Sequence, residues 1–89
     1  MKVIYKYELK LTEKQTIEMP AFARFLSVQV QNGKIQVWAL VDTEQPPRLN
    51  IFKIIGTGGR IDETLGIFLG TIQLGGFVWH VFLESDVKL

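Results

Sequence analysis

The sequence predicts an all-β fold, a small antiparallel β-sandwich or partly open barrel of about seven short strands. Three observations carry the prediction. Apolar and polar residues alternate with period 2 over several stretches, as half-buried strands require. Two glycine-containing turns, Asn32-Gly33 and Gly75-Gly76, each separate a pair of such stretches. No segment carries the 3.6-residue periodicity of an amphipathic helix.

The first stretch, Lys2 to Lys10, turns Val3, Tyr5, Tyr7 and Leu9 one way and Lys2, Lys6, Glu8 and Lys10 the other. Lysines on that face discourage pairing with a foreign strand. A polar turn at Thr12-Glu13-Lys14 leads to a second strand, Gln15 to Met19, which Pro20 closes because proline lacks a backbone donor. Asn32 and Gly33 tolerate the positive φ of a type I′ turn. A two-residue loop there pairs Gln31 with Lys34, Val30 with Ile35, Val28 with Val37 and Leu26 with Ala39. The core face then reads Leu26, Val28, Val30, Ile35, Val37, Ala39, and Trp38 stands on the polar face among Ser27, Gln29, Gln31, Lys34 and Gln36, beside Phe25 and Leu40. Asp42 to Arg48, with Pro46 and Pro47, reads as a stiff loop. Leu49 to Ile55 is a strand buried on both faces. Gly56-Thr57-Gly58-Gly59-Arg60 breaks it, and Ile61 to Leu65 reads as a single helical turn. Ile67 to Leu74 and Phe77 to Glu84 form a last hairpin around Gly75-Gly76, pairing Leu74 with Phe77, Ile72 with Trp79 and Thr71 with His80. Ser85 to Leu89 reads as a frayed tail.

Length and composition bound the function. The 89 residues make one domain, 1–89. A 47% hydrophobic share against 21% charge supplies a core and excludes disorder. Ten basic against nine acidic residues leave +1, a balance that argues against duplex-DNA binding through phosphate neutralisation. No apolar run approaches the roughly 20 residues of a membrane span. The opening Met1-Lys2-Val3-Ile4-Tyr5-Lys6 is not a signal peptide, so the expectation is a soluble cytosolic protein. Without cysteine there is no disulfide, thiolate zinc site or thiol nucleophile.

The residues for catalysis are sparse. Ser27 and Ser85 lie outside any Gly-x-Ser-x-Gly elbow, and His80 is the one histidine, so a two-histidine metal site cannot form in one subunit. His80 acts as a general base only if the fold brings Ser27 or Thr71 beside it and an acid behind. The expectation is therefore a protein that is not an enzyme and needs no metal or cofactor. The glycine loop is better suited to binding: Gly56, Thr57, Gly58 and Arg60 offer backbone donors, a hydroxyl and a guanidinium to an anion. The plainer reading is a connection between strands, since the loop matches neither the Rossmann nor the Walker pattern. Trp38 offers a stacking plate beside Ser27, Gln29 and Gln36, or an interface anchor, or packing under the 42–48 loop. His80 either is satisfied within the fold through Thr71 or contacts a ligand. Eight large aromatics, among them Phe22, Phe25, Phe52 and Phe68, exceed what one small core can hold, which predicts a homo-oligomer.

The ordered segments Ile4-Tyr5-Lys6-Tyr7, Gln15-Thr16-Ile17-Glu18-Met19-Pro20, Leu26-Ser27-Val28-Gln29, Trp38-Ala39-Leu40-Val41-Asp42, Gly56-Thr57-Gly58, Leu69-Gly70-Thr71 and Trp79-His80-Val81-Phe82 resemble a family of short proteins of bacteriophage and prophage genomes. The resemblance covers nearly the whole chain. It implies an accessory protein in the cytoplasm of an infected bacterial host and carries over no catalytic residue. That pattern often has a histidine directly after Gly-Thr-Gly, where this chain has Gly59-Arg60. Short phage β-proteins of this kind include anti-defence proteins that sequester a nucleotide immune signal, such as a cyclic oligonucleotide or a cyclic ADP-ribose derivative. The expected ligand set is Trp38, Arg48, Gly56, Thr57, Gly58, Arg60 and His80, with Arg48 and Arg60 balancing phosphate charge where subunits meet. The alternatives are an inhibitor that binds a host defence protein, a nucleotide-cleaving enzyme and a phage structural protein.

Overall fold

The computed structural model describes residues 1–61 and 65–88, the side chains of 86–88 excepted. These residues form seven strands: β1 (Lys2–Leu9), β2 (Lys14–Pro20), β3 (Arg24–Gln31), β4 (Lys34–Asp42), β5 (Pro47–Gly56), β6 (Ile67–Leu74) and β7 (Phe77–Lys88). They make two antiparallel sheets, a three-stranded one in the order β1-β4-β3 and a four-stranded one in the order β2-β5-β7-β6. The fold is the small β-sandwich that the alternation predicts. Among the described residues no helix is long and apolar enough to cross a membrane.

Between the sheets lies one cluster, including Leu9, Met19, Val28, Ile35, Val37, Phe52, Ile54, Ile72 and Val81. Phe52 is its largest fully buried side chain, and the Phe25 ring meets it edge-on at 5.6 Å. Edge-to-face contact sets the positive ring edge against the negative face of its neighbour. Strand β5 is buried on both sides, as its mixed apolar content predicts, and this includes the polar Asn50 and Lys53.

Both hairpins keep the expected register near their turns. Gln31 faces Lys34 and Val28 faces Val37, while Leu74 faces Phe77, Ile72 faces Trp79 and Thr71 faces His80. The first register then slips. A bulge between Phe25 and Ser27 sets Phe25, not Leu26, opposite Ala39. An extra residue in one strand flips every side chain beyond it to the other face. So Phe25 enters the core, and Leu26, expected inside, stands exposed.

Two further expectations need correction. Ser85 to Lys88 are not a frayed tail: β7 runs to Lys88, with Ser85 opposite Ile51 and Val87 opposite Leu49. Its backbone pairs with the central strand β5. The 42–48 loop is also shorter than expected, because β4 extends to Asp42 and β5 begins at Pro47. The helical turn expected over Ile61 to Leu65 falls largely outside the described residues.

Candidate functional site

Strands β5 and β6 both run antiparallel to β7, so the chain leaving Gly56 must return along the sheet before β6 can start. Gly56 is level with Trp79, whereas Ile67 is level with Leu83. The return begins in the glycine loop. Thr57 N–H donates to the Val78 carbonyl at 3.0 Å and Gly59 N–H to the Gly56 carbonyl at 2.9 Å. Gly58 takes φ +85°, and a Cβ on Gly59 would stand 2.8 Å from the Gly56 oxygen. Both glycines therefore serve the turn itself. With two of its amides committed to chain carbonyls, the loop is a weaker anion nest than its composition promises.

His80 lies on the face of the four-stranded sheet away from the core, between Ile55 and Thr71 in the register. Its Nε2 is 2.8 Å from Thr57 Oγ1 and its Nδ1 is 3.0 Å from Thr71 Oγ1. A neutral imidazole donates from one nitrogen and accepts at the other, so one threonine accepts and the other donates. The ring thus ties the glycine loop to β6 across β7. Thr71 does stand beside His80, but the position an acid would need behind the ring is held by the Thr57 hydroxyl. Ser27 belongs to the other sheet.

A second polar cluster lies on the same sheet. Glu84 occupies a bulge, since Phe52 faces Leu83 while Ile51 faces Ser85. The bulge aims its carboxylate at two lysines: Oε1 is 3.3 Å from Lys53 Nζ and Oε2 is 3.3 Å from Lys14 Nζ. Lys53 is only 5% exposed. Taking an ammonium out of water costs several kcal/mol unless a counter-charge meets it, and Glu84 does so.

The outer face of the three-stranded sheet is built differently. Trp38 sits on the central strand β4, opposite Lys6 on one side and Ser27 on the other. Its next same-face neighbour is Leu40, paired with the exposed Ile4 and with Arg24. Lys6 Nζ donates to Gln31 Oε1 at 2.8 Å, a path that crosses β4 over Gln36 and helps leave that glutamine only 7% exposed on the solvent side. Gln29 Nε2 donates to Ser27 Oγ at 2.9 Å. Trp38 is thus a half-buried aromatic on the outer side of β4, bordered in the register by the Ser27 hydroxyl and Lys6.

Of the expected ligand set, the fold gathers Gly56, Thr57, Gly58 and His80, with Arg60 in the same loop. Trp38 lies on the opposite outer face of the sandwich. Arg48 is at the far end of β5, eight positions from Gly56, roughly 26 Å at about 3.3 Å per residue. No pocket within one chain can join all seven.

One feature of the three-stranded side went unread in the sequence. Phe22, in the turn between β2 and β3, has φ 64° and is 83% exposed. Left-handed backbone costs a non-glycine residue about 1–2 kcal/mol, and a bulky one is rarely found there. Beside it opens a hollow of about 340 Å³ lined by Lys2, Phe22, Arg24, Leu40, Asp42 and Gln45. Beyond the surplus of aromatics, the sequence signal for its backbone is negative: a three-residue connection, Ala21-Phe22-Ala23, with neither glycine nor asparagine to take a positive φ.

A family model matches residues 1–88. The chain belongs to the DUF7352 family, a domain of unknown function. No curated protein and no solved structure matches it.

The electrostatics of this DUF7352 chain are local. The Met1 ammonium lies 3.1 Å from Asp42 Oδ1 and 3.0 Å from Glu44 Oε2. Asp42 also accepts the Glu44 backbone N–H at 3.1 Å. That N–H first, and the ammonium second, hold the Asp42 carboxyl below its usual range, while Glu44 and then Asp42 raise the ammonium. Among the described residues no group of three or more His, Cys, Asp or Glu side chains could hold a metal ion.

Proposed function

We propose that this DUF7352 protein binds a nucleotide-type ligand without chemical conversion, on the outer face of its three-stranded sheet. The observation that carries the reading is Trp38, an aromatic plate central to an open face beside Lys6, Ser27 and Gln29. A base stacks on an indole whatever its identity, with a gain of about 1–3 kcal/mol per base. Ser27 and Gln29 hydrogen-bond a base edge, while Lys6 meets phosphate oxygens. Thr57 and His80 are engaged with each other on the other sheet, so the reading assigns the glycine loop no contact with the ligand. Arg48 lies away from both regions, so the reading assigns it no contact with the ligand.

The biological role that fits such binding is sequestration of a nucleotide immune signal, a cyclic oligonucleotide or cyclic ADP-ribose derivative, by a phage accessory protein in the bacterial cytoplasm. The ordered resemblance to phage proteins supports that setting. A second reading rests on the apolar neighbours of Trp38: Ile4 and Leu40 make the same face fit to dock a host defence protein, with Trp38 as its anchor.

A thermal-shift panel of cyclic dinucleotides, cyclic trinucleotides, ADP-ribose derivatives and mononucleotides tests the proposal. A ligand at 100 times its Kd adds about 2.7 kcal/mol of stability. In a domain this size that lifts the Tm by roughly 10 °C or more. The expected result is a selective rise, abolished in Trp38→Ala, with the ligand recovered intact. A flat panel from a cooperatively melting protein overturns the nucleotide reading in favour of a protein partner, and a converted ligand overturns binding without catalysis.

A further inference from the structure

Phe22 combines two unfavourable features. Its backbone is left-handed at φ 64° and its ring is 83% exposed. Asn32 is the other non-glycine residue with positive φ among the described residues, and it stands in a two-residue hairpin turn that favours asparagine. Phe22 has no such local reason. The distortion holds a phenyl ring out beside an adjoining hollow of about 340 Å³. A cavity of roughly 150 Å³ accommodates benzene, so the hollow has room for one such ring. Its lining includes the apolar Leu40, cationic Lys2 and Arg24, and anionic Asp42.

A projecting ring beside a hollow, with both signs of charge around them, forms a patch complementary to itself. Self-complementarity is what a two-fold interface requires, because the same patch meets itself across the axis. We propose that the protein forms a two-fold dimer in which Phe22 of each copy fills the hollow of the other. Arg24 of one copy then faces Asp42 of its mate. The interface continues from Leu40 to Ile4, its register partner, which is 60% exposed. A specific interface takes about 800 Å² from each partner, about a seventh of this chain's 5758 Å². This dimer stands whether or not Trp38 binds a nucleotide, since Trp38 lies one same-face position beyond Leu40, at the margin of the patch.

Sedimentation equilibrium of the full chain from about 1 µM to about 1 mM tests the proposal. Phe22→Gly is the decisive variant, because glycine accepts the positive φ while removing the ring. The wild type is expected to dimerise, and Phe22→Gly to dimerise at least about tenfold more weakly with an equal or higher monomer Tm. Phe22→Asn, which also tolerates left-handed backbone, is expected to behave likewise and so separates loss of the ring from added flexibility. Trp38→Ala is expected to keep the dimer, which distinguishes failure here from failure of the ligand reading. A wild type that stays monomeric, or a dimer that survives both Phe22 variants, overturns the proposal.

Discussion

The two sheets of this sandwich differ in what their polar side chains hold together. On the four-stranded sheet, the groups that look chemical are engaged with one another. His80 is held by Thr57 and Thr71, and Glu84 is shared by Lys14 and Lys53. On the three-stranded sheet the polar pairs Lys6–Gln31 and Gln29–Ser27 flank a half-buried Trp38, with Ile4 exposed and Phe22 exposed in the adjoining turn, while β6 and β7 expose Ile67, Phe68 and Phe77 on the other sheet. Polar groups that satisfy each other stabilise the chain that contains them. Aromatic surface left in water contributes mainly when something covers it. The lone histidine and the glycine loop, which draw the eye in the sequence, are thus chiefly a strap across β7, and the proposed binding surface is on the other sheet.

The contrast can be broken at several points. The largest effect is expected at Glu84, whose removal takes a counter-charge from buried Lys53. Glu84→Ala should lower the unfolding free energy by about 3 kcal/mol in urea titration and leave ligand affinity unchanged. Trp38→Ala should do the reverse. Loss of one stacked base weakens binding by about 1–3 kcal/mol, read by calorimetry, while its denaturation midpoint should move little. His80→Ala should cost about 1 kcal/mol of stability through the two threonine hydroxyls it leaves behind. A binding loss there with no stability loss would reverse the division between the faces.

The smallest effect is that of pH at the chain start. Asp42 is held below the ordinary aspartate value of about 3.9 by the Glu44 N–H and the Met1 ammonium. A carboxyl depressed in the folded state stabilises the fold above its unfolded pKa and loses that contribution as pH falls through the folded one. Asp42→Asn should therefore be slightly less stable than wild type at neutral pH. In acid melts the gap should close only below the ordinary aspartate range, and a gap independent of pH would contradict the assignment.

What the sequence disclosed and what it hid follow from the range of the interactions. Asn32-Gly33 and Gly75-Gly76 announce their hairpins because a positive φ is a local property, and each turn carries its register several residues into the strands. The bulges at Leu26 and Glu84 break that logic. Nothing in Phe25-Leu26-Ser27 announces an extra residue; the slip is set by Phe25 meeting Phe52, a contact with another sheet. Ser85 to Lys88 read as a tail because their pairing with β5 joins residues far apart in the sequence. The His80–Thr71 pairing was legible from the second hairpin, but the bond to Thr57 required knowing that β5 and β6 flank β7. Trp38 was recognisable as misplaced from its alternation alone. Arg48 and the glycine loop stand at opposite ends of one strand, and their union in a single pocket fails on distance.

The most direct test of the division between the faces is amide and indole chemical-shift mapping of the isotope-labelled protein with a cyclic dinucleotide and with ADP-ribose. The account predicts the largest shifts at the Trp38 indole and at outward positions of β1, β3 and β4, with the Thr71 and His80 amides nearly still. Shifts centred on Thr57, His80 and Thr71 with Trp38 silent would contradict it.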